Sequence, residues 1–488
     1  MKKIIGILVA AVFVMGFAAS AFAIHAEIPA ETQAIVATGT TQITLGGELR
    51  TRGWYTKNLD YARDKTPGDY RSSAWYDQRV RLSVDAKVSP NVQAFIQLES
   101  EGTGLDNTND KYVWGTSGGN SGFSNAKPES SFDFLQAWIL YTGQGLFGVP
   151  AGLKIGHMPL KLAYGQFFDH TQMGDDAIVA FVDPTKQMHI GLLTIKLNEG
   201  LDVRNAAGND YVTGRFDNTD DLDAYVALMT YKFSDAIKAG INYTYLNDPD
   251  FGFSQQNLGV HADGKIGNFG YKAQVDFQFG KIFKDVSPAL EEGSFKGYAA
   301  SINADYNLDP VTLRGSFIYG SGESELGDDG DIKEFVPHVG NIQNYSFIYE
   351  YQMRTTAFNK TGLNPGAPSN GHASGVANTT YVNLGADWKA TKDVTLSLDG
   401  YYFWATKTGA FEDLNSAANA VAGADIFETD VSSTAGWEID AKIRYQIAKN
   451  LFYQIDAGYF DAGSFYGDAF NIDEKGVTSI RHLLQLNF

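Results

Sequence analysis

The chain contains no cysteine. Disulfides, thiolate metal sites and haem attachment through C-x-x-C-H are therefore excluded. Beyond Ala23 no stretch approaches the ~18 consecutive apolar residues that a membrane-spanning helix requires. Basic residues are outnumbered, 38 Lys and Arg against 57 Asp and Glu, and the net charge of −19 argues against nucleic acid as a partner. No H-E-x-x-H spacing is present and the histidines are scattered, so no catalytic site, metal site or cofactor is expected. Gly259 to Lys265 matches most of a P-loop. Ile266 stands where that motif needs Ser or Thr, and the stretch alternates like a strand, so the match reads as chance.

What is present begins with a leader. Met1-Lys2-Lys3 is positive, Ile4 to Phe17 is apolar, and Ala18 to Ala23 supplies small residues in an A-x-A pattern. Residues 1–23 read as a secretory signal peptide cleaved after Ala23, with Ala26 as a second site. Residues 24–40 lack a period and read as a short periplasmic lead. From Thr41 to Phe488 the dominant signal is a period of two, with aliphatic and aromatic residues on one phase and polar residues on the other. The clearest runs are Val80 to Val88, Phe269 to Phe279 and Trp437 to Ile447. Aromatics at 13% and 52 glycines suit interfacial girdles and tightly bent strands.

The pattern predicts an all-β fold, a transmembrane antiparallel β-barrel of about eighteen strands over residues 41–488, with short periplasmic turns and long extracellular loops. The count comes to eighteen if Ala177–Val182 is a short strand turned by Asp183-Pro184-Thr185, and if 344–353 is a loop. If 344–353 belongs to the wall, a partner strand raises the count to about twenty. Strand five is read as Leu153 to Leu162. Strand eight, about 222–233, is ambiguous because both of its faces hold apolar residues.

The chain ends on Leu484, Leu486 and Phe488, alternating with polar Gln485 and Asn487. This ending resembles that of Gram-negative outer-membrane β-barrels, which implies that the three residues are the signal read by the barrel assembly machinery. The stretch RVRLSVDAKVSPNVQAFIQLES, residues 79–100, resembles the opening hairpin of alginate-export and OprD-like porins. Those families carry a Gly-containing strand like LKIGHMPLKLAYG. Their usual G-R-Q tripeptide is Gly156-His157-Met158 here, so no role of that arginine transfers.

An eighteen-strand barrel is too wide for side chains to fill and holds a wet channel. Its inward phase gathers Arg50, Arg52, Arg79, Arg81 and Arg481 in one sector where the last strand meets the first, with Lys442 and Arg444 two strands away. Two readings of these cations stay open. They raise the local anion concentration, or they pair with Glu48, Asp77, Asp85 and Glu99 and neutralise the wall. The loop after strand five, with Asp169, Asp175 and Asp176, is the expected constriction, facing the arginines across the pore. The acidic run Glu323, Glu325, Asp328, Asp329, Asp331 and Glu334 lacks EF-hand spacing and reads as a solvated loop.

The expected function is an outer-membrane porin, a water-filled channel for small hydrophilic solutes. The resemblance implies an anionic saccharide or another small organic ion. The expected partners are outer-membrane lipid and lipopolysaccharide, the assembly machinery and small solutes. The competing reading is a barrel scaffold or sheath around another protein, such as an electron-conduit cytochrome.

Overall fold

The computed structural model describes residues 35–38, 41–59, 72–102, 112–114, 130–198, 221–234, 236–248, 252–282, 292–325, 330–339, 346–350, 376–471 and 474–488. The expected leader, residues 1–23, and most of the lead fall outside the described residues. Eighteen antiparallel strands form a closed wall. In chain order they are β1 Thr41–Lys57, β2 Ser72–Ser89, β3 Val92–Gly102, β4 Ser130–Gln144, β5 Pro150–Met158 and β6 Asp175–Thr185. They continue as β7 Met188–Asn198, β8 Leu222–Lys232, β9 Lys238–Asp248, β10 Phe253–Ile266, β11 Phe269–Ile282 and β12 Tyr298–Asn307. The ring is completed by β13 Val311–Gly320, β14 Thr379–Lys389, β15 Val394–Ala405, β16 Thr434–Ala448, β17 Leu451–Ala462 and β18 Gly476–Asn487. Ile35–Thr38 folds back along the start of β1.

Closure follows from pairing β18 with β1, from Glu48 opposite Asn487 to Lys57 opposite Thr478. Phe488 extends it: its N–H donates to the Gly47 carbonyl at 3.0 Å and its carbonyl accepts the Gly47 N–H at 2.7 Å. A Cβ on Gly47 would lie 2.7 Å from the Phe488 ring, so the glycine opens the seat that the terminal aromatic fills. With both edges joined, the ladder of backbone hydrogen bonds runs round the ring and leaves no open sheet edge, as hydrocarbon demands. The outward phase is apolar around the ring, as in Leu49 on β1, Ile139 on β4, Leu398 on β15 and Ile439 on β16. Leu384 on β14 keeps 77% of its surface exposed, which a lipid-facing position makes favourable. Among the described residues no helix is long and apolar enough to cross a membrane. Two short helices, α1 Gly409–Ala422 and α2 Ser464–Phe470, lie in the long connections after β15 and β17. Phe411 of α1 meets Phe465 of α2 edge-on at 5.2 Å.

Two expectations need correction. β6 is a full strand, Asp175–Thr185, rather than the short Ala177–Val182, and Asp183-Pro184-Thr185 belongs to it; the turn lies between Thr185 and Met188. β5 stops at Met158 rather than Leu162, because the chain there leaves the wall and runs inward, with Lys161 bridging back to Asp169. Of the stretch left open, 344–353, the described residues 346–350 form a buried turn inside the lumen, and the count is eighteen, as the loop reading has it.

The inward loops also account for β8. Ala224 and Val226 face inward and are buried in one cluster with Phe167 and Phe168 of the loop after β5 and Phe335 of the loop after β13. Tyr225 and Met229 point outward. Both faces are apolar because one meets lipid and the other meets the loops.

Candidate functional site

Two segments enter the barrel and lean on β9 to β11. The first, residues 159–174, is held by inward polar side chains of β11: Gln274 Oε1 accepts the Tyr164 N–H at 2.9 Å, and Asp276 accepts Gln166 Nε2 at 2.8 Å. The second, around 332–339, is held by two glutamines that substitute for a strand edge. Gln255 and Gln278 donate to the Val336 carbonyl at 3.0 and 2.8 Å, and Gln278 accepts the Val336 N–H at 2.9 Å. The segments join as a short parallel pair, Phe168–Asp169 with His338–Val339. They narrow this side of the lumen, where a cavity of about 340 Å³ remains over β10 to β14.

A larger cavity, of about 520 Å³, opens against β1, β2, β13 and β15 to β18. Arg50, Arg52, Arg79, Arg81, Lys442 and Arg481 all line it, so the structure brings together six of the seven basic residues picked out from the sequence. The strand register explains why. Arg50 is opposite Arg79, Glu48 is opposite Arg81, Trp54 is opposite Arg481, and Asp456 stands between Arg481 and Lys442. Arg444 does not line the cavity; its guanidinium lies 3.7 Å over the Phe452 ring.

Most of these cations are paired. Arg52 donates to both carboxylate oxygens of Asp77 at 2.7 and 3.1 Å. Arg79 donates to Glu48 at 2.8 Å, Arg81 to Glu99, and Arg481 to Asp456 at 3.0 Å. Glu48, Asp77 and Glu99 are not among the lining residues. On the β1–β2 wall, then, the arginines border the cavity and these three carboxylates do not, although Arg52 is itself buried and Arg79 and Glu48 are about equally exposed. Asp85, the fourth expected partner, instead accepts Gln93 Nε2 at 2.8 Å.

The loop aspartates sit elsewhere than expected. Asp169 pairs with Lys161 at 2.7 Å and Asp175, buried at the start of β6, pairs with His170 at 2.7 Å. Asp176 pairs with His157 at 3.0 Å with its side chain 73% exposed, on the outward phase it shares with Ile178 and Val182. None lines the cavity; the residues of this loop that do are neutral, Thr171 and Gln172. The acid groups on the lining are Asp399, Asp440 and Asp456. The acidic run after β13 is likewise not simply solvated: Glu323 and Glu334 are buried, and Glu323 accepts the N–H of Lys333 and, at 3.2 Å, of Glu334. Asp328 and Asp329 lie outside the described residues, and among the described residues no acidic or histidine cluster could hold a metal.

Sequence reasoning missed Arg314 on β13, which lines the cavity and pairs with Asp387 at 2.9 Å and Asp399 at 2.8 Å. Its inward phase, set by outward Leu313 and Phe317, was the available signal. It also missed Phe347 and Tyr401, the aromatic members of the lining.

The junction of the two inward segments is pH-sensitive. His338 Nε2 lies 2.6 Å from Gln255 Oε1, with its ring edge-on to Phe167, and burial, followed by the charge of His170, pushes its pKa down to about 3. A detached His338 would titrate near the ordinary ~6.5. Detached chains therefore bind more protons between the two values. The docking contribution is complete above ~6.5 and is lost as pH falls toward 3. Hydrogen exchange of backbone amides 332–339, corrected for intrinsic rates, is expected to accelerate from pH 7.5 to 4.5 in wild type and to stay flat in His338→Gln.

No family model matches the chain, and no curated protein matches it in sequence. Solved structures match in fold. OccK5 (OpdH) of Pseudomonas aeruginosa is 13% identical, with 91% of this chain and 98% of that chain covered and a TM-score of 0.50. A double variant of OccD1 (OprD) is 12% identical, covering 91% and 95%, also with a TM-score of 0.50. The outer membrane protein OprD from P. aeruginosa is 11% identical over 91% and 93%, with a TM-score of 0.49. At such identities the likeness concerns the fold, and it falls on the OprD side of the resemblance seen in the sequence.

Proposed function

We propose that this chain is an outer-membrane channel through which small hydrophilic solutes diffuse, with a preference for anions. The supporting observation is the cavity lining, which carries seven cationic side chains against three carboxylates. With more cations than carboxylates bordering the cavity, the local potential favours anions although several of the cations are ion-paired. The apolar outer belt and the closed ring suit the outer membrane, with lipid and lipopolysaccharide around it. Leu484, Leu486 and Phe488, seated in the closing seam, suit recognition by the assembly machinery. An anionic saccharide, as the likeness to alginate exporters implies, is one solute of this class.

The sheath reading is less well supported. The chain's own inward segments take up part of the lumen, and Gln255, Gln274, Asp276 and Gln278 hold them there. Purified protein in planar bilayers is expected to give discrete open steps, and in a KCl gradient a reversal potential on the anion-selective side. A silent barrel would reject the channel, and a cation-selective one would reject the anion preference.

A further inference from the structure

β16 carries two consecutive inward carboxylates, Glu438 and Asp440. In a water-filled barrel such groups would be expected to face solvent, yet Glu438 is fully buried. Its two oxygens accept the backbone N–H groups of Ile348 at 2.6 Å and Tyr349 at 2.8 Å, and Asp440 accepts the N–H of Phe347 at 2.9 Å. Three successive N–H groups of the 346–350 turn are thus held by acid side chains of one strand, which is an anion-capping arrangement turned inward. Tyr349 completes the anchor by stacking on Phe403 at 4.1 Å.

The anchored turn delivers one side chain to the passage. Phe347 lies nearly parallel to Trp54 at 6.1 Å between ring centroids, and the Arg481 guanidinium sits 5.1 Å from both rings. Ser346 and Phe347 line the arginine cavity, whereas Glu438 does not. The neighbouring strand makes room for this: a Cβ on Gly458 would come within 2.7 Å of Asp440 Oδ1, 2.9 Å of the Phe347 ring and 3.1 Å of Ile348. We infer that Phe347 is a specificity-determining residue that sets the size limit of the channel, and that Glu438 and Asp440 are positioning residues that hold it in the passage. This inference rests on the channel reading above.

The test measures unit conductance and the permeation of neutral sugars of graded size in liposome-swelling assays. Phe347→Ala is expected to raise unit conductance roughly twofold, since the narrowest section dominates pore resistance, and to admit larger sugars. Gly458→Val, whose side chain would press on Phe347, Ile348 and the Asp440 carboxylate together, displaces the turn from the wall and is expected to shift the size limit as well. Glu438→Ala is expected to match Phe347→Ala, and the double variant to go no further than either single one, because both act through one ring. A merely structural Glu438 would lower the yield of folded barrel and leave the size limit of the folded fraction unchanged. Wild-type-like conductance and cut-off in both Phe347→Ala and Gly458→Val would overturn the inference while the channel reading stands. A wild-type barrel with no conductance would overturn the channel reading itself.

Discussion

Replacing Asp77 by Ala is expected to destabilise the folded barrel by about 3–5 kcal/mol, the usual cost of stranding one member of a buried ion pair. Arg52 and Asp77 are 3% and 0% exposed, joined by two hydrogen bonds, and the same carboxylate accepts the Trp54 indole N–H at 2.7 Å. Removing it leaves a guanidinium and an indole donor without the acceptor that compensates their burial. Asp77→Asn, which keeps one acceptor oxygen but not the charge, should lose less. Exchanging both residues, Arg52→Met with Asp77→Leu, should recover much of the loss, because neither charge then has to be desolvated. Urea-induced unfolding in lipid vesicles, followed by tryptophan fluorescence, reads all three. Equal stability of Asp77→Ala and wild type would show that Arg52 finds other compensation at the β1–β2 seam.

Wall and lumen differ in how far the sequence discloses them. The wall was legible because lipid on one side and a polar interior on the other impose a strict alternation, and β11 and β16 read almost residue by residue. Where a loop replaces water, that contrast weakens. Val226 and Ala224 on β8 are apolar inward because they are buried in the same cluster as Phe167 and Phe168, and the same two-sided greasiness that blurred the strand was the trace of a buried loop. Gln274, Asp276 and Gln278 were assigned to the inward face correctly, yet nothing in the alternation says that they hold backbone groups of distant segments and not solvent. Tertiary hydrogen bonds between residues a hundred positions apart leave no periodic signature. The arginine sector was legible for the opposite reason. Once β18 pairs with β1, adjacency fixes the neighbourhood of Arg50, Arg79, Arg81 and Arg481 without further information. What adjacency could not give was the far wall, where Arg314, Tyr401 and Phe347 complete the cavity in place of the three loop aspartates.

The excess of cations on the cavity lining makes the largest electrical effect predictable in sign. Neutralising Arg50, Arg79, Arg81 and Arg481 to Gln removes four cations from the lining and uncovers Glu48, Glu99 and Asp456, which those arginines now engage. Arg52 is left in place because its pairing with Asp77 is structural. The lining then changes from a cation excess to three cations against three carboxylates. In a tenfold KCl gradient the reversal potential is expected to move toward the cation-selective side by roughly 20–40 mV, out of the ~59 mV per decade available to a single charge. Lys442→Gln, which removes a cation with no ion-paired carboxylate among the described residues, should shift it in the same direction but by less. Screening supplies the control: the Debye length falls from ~30 Å at 0.01 M to ~3 Å at 1 M, so the difference between variant and wild type should be wide in dilute salt and small in concentrated salt. An unchanged reversal potential in dilute salt would mean that the arginines serve only to neutralise the wall, and selectivity would then have to come from Asp399, Asp440 and the narrowing at Phe347.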